Sequence, residues 1–212
     1  MTSPETGGIA PPATARGAAT RARLLAAGEE VFGDVGFSEG SIVDITWRAG
    51  VAPGTFYLYF RSKHELLVSL IRERGHEMRA AMAAAVEEAD GGRLERERAG
   101  FRAFLEWIGR HPSIYRVVRQ ADHIDRAVYQ EWYRAIAEGY IAGLTSAMAA
   151  DEIAPVADVE TLAYALMGIG DFIGMRFLLW EDAAEAPEEV LETLWTLLER
   201  VLAPSAKKRA RR

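Results

Sequence analysis

Residues 41–67 read SIVDITWRAGVAPGTFYLYFRSKHELL, and the punctuation of this stretch decides the fold. Ser41 followed by Asp44 is a capping-box start: the hydroxyl takes the amide of the third helical residue and the carboxylate reaches back. The helix it opens is short, because Gly50 breaks it. Pro53 fits the first turn of a second short helix, where no amide hydrogen is needed, and that helix is expected to run to about Tyr59. Ser62 and Glu65 repeat the cap and open a long helix through Leu66, Leu67, Leu70, Ile71 and Met78 to about Glu88. Two short helices joined by a tight glycine turn predict a helix-turn-helix. Ile42, Ile45, Ala49, Val51 and Phe56 are expected to hold the crossing against Phe32 and Phe60. The outer face then carries Pro53, Gly54, Thr55, Tyr57 and Tyr59, groups small or polar enough to approach a duplex. Tyrosine hydroxyls and the Lys63 ammonium suit phosphate.

The flanks read as helix too. Residues 1–18 (MTSPETGGIAPPATARGA) have little to bury and are expected to be a disordered arm. From Thr20, Leu24, Leu25, Val31, Phe32 and Val35 recur at helical spacing, and Gly36 follows as a stop. Downstream, Asp90-Gly91-Gly92 interrupts. Helices are then expected near 94–110, 112–121, 124–150, 157–181 and 187–202. No stretch alternates like an amphipathic strand. The expectation is an all-α chain of about nine helices, an N-terminal three-helix head and a C-terminal helical body. The boundaries fall at a helix-turn-helix domain over 19–65, a ligand-binding and dimerisation domain over 66–203, and a basic disordered tail over 204–212.

Composition limits what such a chain can do. It has 212 residues, 50% of them hydrophobic, which is ample for a packed core. With no cysteine there is no disulfide scaffold, thiolate zinc finger or cysteine nucleophile. No run approaches 18 uninterrupted apolar residues, so no membrane span is expected. The N-terminus lacks a secretory pattern, and a cytoplasmic protein is expected. The net charge of -6 hides a gradient. Residues 1–74 carry 8 basic and 8 acidic side chains, residues 206–212 add five bases, and residues 75–205 stand at -11. A DNA-binding end need not share the acidity of the rest.

The run from Ile42 to Leu67 closely resembles the DNA-binding signature of the TetR family of bacterial transcriptional regulators, with the Gly50 turn, the Tyr57/Tyr59 pair and the Ser62-Lys63 start in register. The resemblance covers about residues 20–73. It implies a homodimer with two DNA-binding heads, each body holding a ligand pocket and contributing its last two helices to a four-helix interface. It also implies repression that a small molecule relieves, and a palindromic operator. Carried over residue by residue, Gly54 and Thr55 face the major groove, with Pro53 beside them. Tyr57, Tyr59, Lys63 and the Ser41 hydroxyl hold phosphates. Two positions depart from the family pattern. Trp47 stands where a small or charged residue is usual, so it is either an exposed aromatic or a packing contact. Ala52 replaces the usual Ser or Thr cap, forfeiting a bond of ~1 kcal/mol.

In the body, apolar and aromatic residues recur on helical faces. The candidate ligand set is Phe104, Trp107, Ile108, Tyr115, Val118, Arg119, Trp132, Tyr133, Ile136, Tyr140, Leu166, Phe172 and Arg176. Plain core is the competing reading for each, since pocket walls and cores share composition. A cationic ligand would call for a buried carboxylate, with Asp171 the candidate. An anionic one would favour Arg116, Arg119 or Arg176. The run 111–120, HPSIYRVVRQ, is similar to that of TetR-type regulators responding to acyl-coenzyme A, which implies a long apolar ligand with an anionic end, a fatty acid or acyl-CoA. The dimer candidates are Ala165, Gly168, Ile169, Phe177, Leu191, Leu194, Trp195 and Leu198, with packing inside one subunit as the alternative. His64, His76, His111 and His123 are too scattered for a metal site, and neither a cofactor motif nor a catalytic constellation is present. The rival to a regulator is a dimeric helical small-molecule-binding or adaptor protein whose head no longer reads DNA.

Overall fold

The computed structural model describes residues 12–181, 183 and 185–204. Among these there are nine α-helices, one π-helical turn and no strand. The helices are α1 (Ala15–Glu39), α2 (Ile42–Arg48), α3 (Pro53–Phe56), α4 (Lys63–Glu88), α5 (Arg93–Arg110), α6 (Pro112–Ile124), α7 (Arg126–Ala149), α8 (Val159–Gly174) and α9 (Glu188–Val201). The all-α reading holds. So do most of the stops, each for its expected reason. Gly36, at φ 85°, breaks the end of α1, and Gly50, at φ 64°, makes the turn between α2 and α3. Both are left-handed conformations that a Cβ disfavours.

One expectation needs correcting. Helix α1 begins at Ala15, not near Thr20, and the Thr14 hydroxyl caps it by accepting from the Gly17 amide. The alanines and arginines of residues 15–23 are strong helix formers and need no apolar stripe to propagate a helix already nucleated downstream. The rest of the arm (1–11) and the tail beyond Pro204 lie outside the described residues.

The chain divides into two compact units. The first is residues 1–74 with 113–129, and the second is 75–112 with 130–212. Most of α6 thus belongs with the N-terminal helices, a grouping that the 65/66 boundary does not anticipate. The glue is specific. The Gln120 side chain accepts from the Phe37 amide (2.8 Å) and donates to the Phe32 carbonyl (3.1 Å), satisfying backbone groups where Gly36 interrupts α1. A Cβ on Gly33 would lie 2.7 Å from that of Ser113, so bare backbone lets α6 dock. Arg74 pairs with Glu29 (2.7 Å) and Arg21 with Glu73 (2.5 Å), tying α1 to α4. Leu24, Phe32, Ile45, Phe56, Phe60, Leu66 and Leu67 form the core of this unit, each essentially inaccessible.

The second unit centres on Phe101, Leu144, Ile153, Ala163, Leu166, Leu194 and Leu198. Helix α8 and the π-helical turn Met175–Trp180 form one segment of 22 residues, and its most apolar 18-residue window has mean hydropathy 1.5. By length and composition alone that segment could cross a membrane, a test that the packed core helix of a soluble protein also passes. Its Ala163, Leu166, Gly170 and Gly174 are buried in the packed body. In the π-helical turn Arg176 reaches Glu181 (3.0 Å).

The Ser41 cap yields a measurable expectation. Its hydroxyl accepts from the Asp44 amide and the Asp44 carboxylate accepts from the Ser41 amide, completing the box. Ser41→Ala should cost about 1 kcal/mol in urea melts at pH 7. The hydroxyl and amide of Ser41 hold the Asp44 carboxyl below the usual carboxylate range. A depressed value means stability that is present once the unfolded carboxyl has ionised and lost as pH falls through the folded value. The gap between wild type and variant should therefore be full at neutral pH and close only in strong acid. A gap that widened on acidification would contradict the cap.

Candidate DNA-reading head and ligand pocket

In the first unit the predicted contact residues gather around α3. Pro53 and Gly54 are exposed, Thr55 is half-buried, and Tyr57 is 57% exposed. A Cβ on Gly54 would meet no atom within 4 Å. The second helix is shorter than expected: α3 ends at Phe56, and a tight turn carries Tyr57 and Tyr59. Phe56 is fully buried and packs edge-on to Tyr57 and against Phe60 (centroids 5.5 and 5.7 Å), so the aromatic that closes the core also fixes its exposed neighbour. The half-buried Tyr59 places its hydroxyl near Gly17, at the start of α1. Ala52 makes no side-chain cap, as its methyl requires. Trp47 is 80% exposed, which resolves its two readings in favour of a surface aromatic.

Two of the phosphate candidates have other commitments. The Ser41 hydroxyl donates to Asp44 Oδ2 at 2.5 Å. The Lys63 ammonium donates to the carbonyls of Phe37 (2.5 Å), Gly40 (2.8 Å) and Ser38 (3.2 Å) and lies over the Phe37 ring. Its three protons serve the end of α1.

The ligand candidates divide between the units. Tyr115 and Val118 are buried and Arg119 half-buried on α6, in the first unit. In the second, Trp107, Ile108, Trp132, Ile136 and Leu166 are buried, and Phe104, Tyr133 and Tyr140 are half-buried. Phe172 and Arg176 are exposed, Phe172 by 64%, and neither faces the cavity described next. That cavity, of about 380 Å³, lies between α4, α5 and α7 and brings Ile136 and Tyr140 together with Met82, Ala83, Val86, Gly100 and Gly139. Sequence reasoning missed its polar wall, Arg93, Arg96, Glu97 and Arg79. Glu97 is 2% exposed and paired with Arg93, so the buried acid of the body is Glu97, while Asp171 is only half-buried. A signal existed: Glu97 shares an α5 face with Phe101, Phe104 and Ile108, at spacings of four, seven and eleven. Burial, with the Glu97 carboxylate adjoining, pushes the Tyr140 phenol well above its ordinary value.

The dimer candidates also split. Leu191, Leu194, Leu198 and Phe177 are buried within the unit, and Ile169 and Trp195 half-buried. Ala165 and Gly168 are exposed, on the same side of α8 as Tyr164 and Phe172. Trp180, Leu197 and Val201 are likewise exposed.

Residues 24–70 match the model of the bacterial regulatory proteins of the tetR family, a span that contains the whole of the α2–α3 head. The head is of the TetR type. The chain's likeness to such regulators extends beyond the head. Over 180 residues the chain is 28% identical to the HTH-type transcriptional regulator EthR of Mycolicibacterium smegmatis, spanning 82% of this chain and 81% of that protein. A TetR-like regulator from Rhodococcus sp. RHA1 superposes with a TM-score of 0.68 at 28% identity, over 87% of this chain and 96% of that one. FadR of Bacillus subtilis, solved in complex with stearoyl-CoA, shares the fold with a TM-score of 0.74 at 20% identity, over 86% and 97% of the two chains. These relatives are transcriptional regulators.

Proposed function

We propose that this protein is a cytoplasmic homodimer that represses transcription from a palindromic operator and leaves it when a small, mainly apolar molecule occupies the body. The observation that carries the reading is the exposed Pro53-Gly54-Thr55-Tyr57 surface, held on a rigid turn by fully buried Phe56 and Phe60. Two such surfaces on a two-fold axis would meet half-sites about one helical turn apart, or a multiple of it. Tyr57, Tyr59 and the amides near the start of α1 suit phosphate; Gly54 and Thr55 suit base edges. A fatty acid or acyl-CoA is the ligand candidate suggested by the sequence, and the fold shared with the stearoyl-CoA-bound FadR is compatible with it.

The dimer reading rests on the unpartnered apolar side chains Tyr164, Phe172, Trp180, Leu197 and Val201. Phe172, Trp180 and Leu197 line a groove between α8, the π-helical turn and α9. Large exposed aromatics on a terminal helix pair are the composition of an isologous interface. Phe172→Asp should raise the dimer dissociation constant at least ~10-fold by sedimentation, since central aromatics dominate such interfaces. An unchanged dimer would place the interface elsewhere.

The test of function is binding of the full chain to the DNA flanking its own gene, and to duplexes selected from random sequence, across a salt series. Specific binding by a dimer, with affinity falling steeply in salt, is the expected result. Affinity equal to that for an unrelated duplex in both settings would remove the DNA-reading role.

A further inference from the structure

A duplex presents about one negative charge per 1.7 Å of its axis, so a head that grips it needs cations free to face phosphate. Residues 1–74 carry eight basic side chains, and most are engaged within the first unit. Lys63 holds the carbonyls at the end of α1. Arg21 pairs with Glu73, Arg48 with Glu30 and Asp34, and Arg74 with Glu29, while Arg72 is engaged as well. Arg16, Arg23 and Arg61 are exposed and have no ion-pair partner among the described residues.

Placement separates the three. The Tyr59 hydroxyl lies 3.7 Å from where a Cβ on Gly17 would stand. One turn farther along α1, the Arg21 guanidinium covers the Phe60 ring at 5.3 Å from its centroid. The first turns of α1 are thus held along the turn that follows α3. Arg16 immediately precedes Gly17, and Arg61 immediately follows Phe60, so the two bracket the Tyr59–Phe60 turn. Arg23 stands six residues past Gly17, about 9 Å along the helix at 1.5 Å per residue, beyond the Arg21–Phe60 contact.

The surroundings let both arginines meet an anion. Helix α1 has no acid in its first turn. Ala13, Thr14, Ala15, Ala18 and Ala19 are small and exposed, so a sugar-phosphate backbone can approach Arg16 closely. Beside Arg61, the Glu65 carboxylate accepts from the Arg61 amide at 2.6 Å, which leaves the guanidinium to solvent. We propose that Arg16 and Arg61 form the phosphate clamp of the head, holding the backbone of the duplex next to Tyr59 while α3 reads the groove. The planar guanidinium fork matches two phosphate oxygens at once. This deepens the DNA-reading role proposed above and rests on it; what it adds is which cations supply the salt-dependent part of binding.

The test is a salt titration of the full chain on a duplex selected from random sequence, followed by fluorescence anisotropy. Arg16→Gln and Arg61→Gln should each shallow the slope of log affinity against log salt by about 0.9 unit per head, and the double variant by about twice that. Arg16→Lys and Arg61→Lys, which keep the charge, should keep the slope. Arg23→Gln removes the same charge from the same head and should leave the slope unchanged. All three positions are exposed, so melting temperatures should stay at the wild-type value and a lost contact is told apart from a lost fold. A slope unchanged in either Arg16→Gln or Arg61→Gln, with wild type binding, overturns the clamp and leaves the DNA-reading role standing. Equal shallowing in Arg23→Gln would mean that net charge acts rather than position, and overturns it too. A wild type that binds no duplex removes the DNA-reading role and the clamp with it.

Discussion

Gly54→Glu should fold with wild-type stability and bind operator DNA at least ~100-fold more weakly, because a carboxylate set against phosphates costs several kcal/mol. The two halves of this expectation have separate causes. Gly54 is exposed inside α3, and a Cβ there meets no neighbour, so the fold has room for the side chain. Replacing glycine in a helix also stiffens the backbone, and an acid near a helix start opposes no dipole, so stability should hold or rise by a few tenths of a kcal/mol. Binding suffers because Pro53, Gly54 and Thr55 are the residues of α3 able to approach a duplex closely. The defect should shrink as salt rises, since screening weakens the repulsion. Gly54→Ala, lacking the charge, should lose far less. Fluorescence anisotropy on a selected duplex, with urea melts of the same samples, separates the outcomes. Wild-type binding by Gly54→Glu would mean that α3 does not face the DNA.

What was legible in the sequence was punctuation. Ser41 with Asp44, Gly50, Pro53 and Gly36 each act on their own few residues, and a local cause leaves a local mark. The docking of α6 left none, because Gln120 satisfies the backbone of Phe32 and Phe37 from more than 80 residues away. A glutamine in an amphipathic helix reads as an ordinary polar residue until the partner is known. The apolar faces were legible as faces but not as destinations. Helix α9 shows a clear stripe, yet Leu191, Leu194 and Leu198 turn inward while Leu197 and Val201 remain outside. Phe172 likewise fits the ligand set by composition and lies on the exposed side of α8. Period alone gives the stripe its width; which edge meets the unit's own core depends on neighbours. The Arg93–Glu97 pair was overlooked for the opposite reason: in a run as charged as RLERER, a buried ion pair looks like a solvated face.

Lys63→Met should destabilise the chain by about 2–3 kcal/mol in urea melts, the scale of losing hydrogen bonds from a charged donor with partly buried acceptors left behind. The carbonyls of Phe37, Ser38 and Gly40 sit just past the Gly36 break, where α1 no longer supplies amides to receive them. The ammonium gathers all three and stacks on Phe37, so one cation organises the corner leading into the Ser41 cap. Methionine keeps much of the apolar stem and removes only the charge and its protons. The effect on DNA follows from the same geometry. A lysine that neutralises a phosphate contributes about one unit to the salt slope of binding, and its removal shallows the slope by that amount. With its donors already engaged, Lys63 should contribute little of this, so the variant should bind with an unchanged salt slope. Any loss of affinity should instead track the fraction of folded head. Tyr57→Phe makes the contrasting case, because an exposed hydroxyl can be lost without disturbing the core, so its weakened binding should appear at full stability. A slope shallower by one unit in Lys63→Met would return the lysine to the phosphates and leave the end of α1 to solvent.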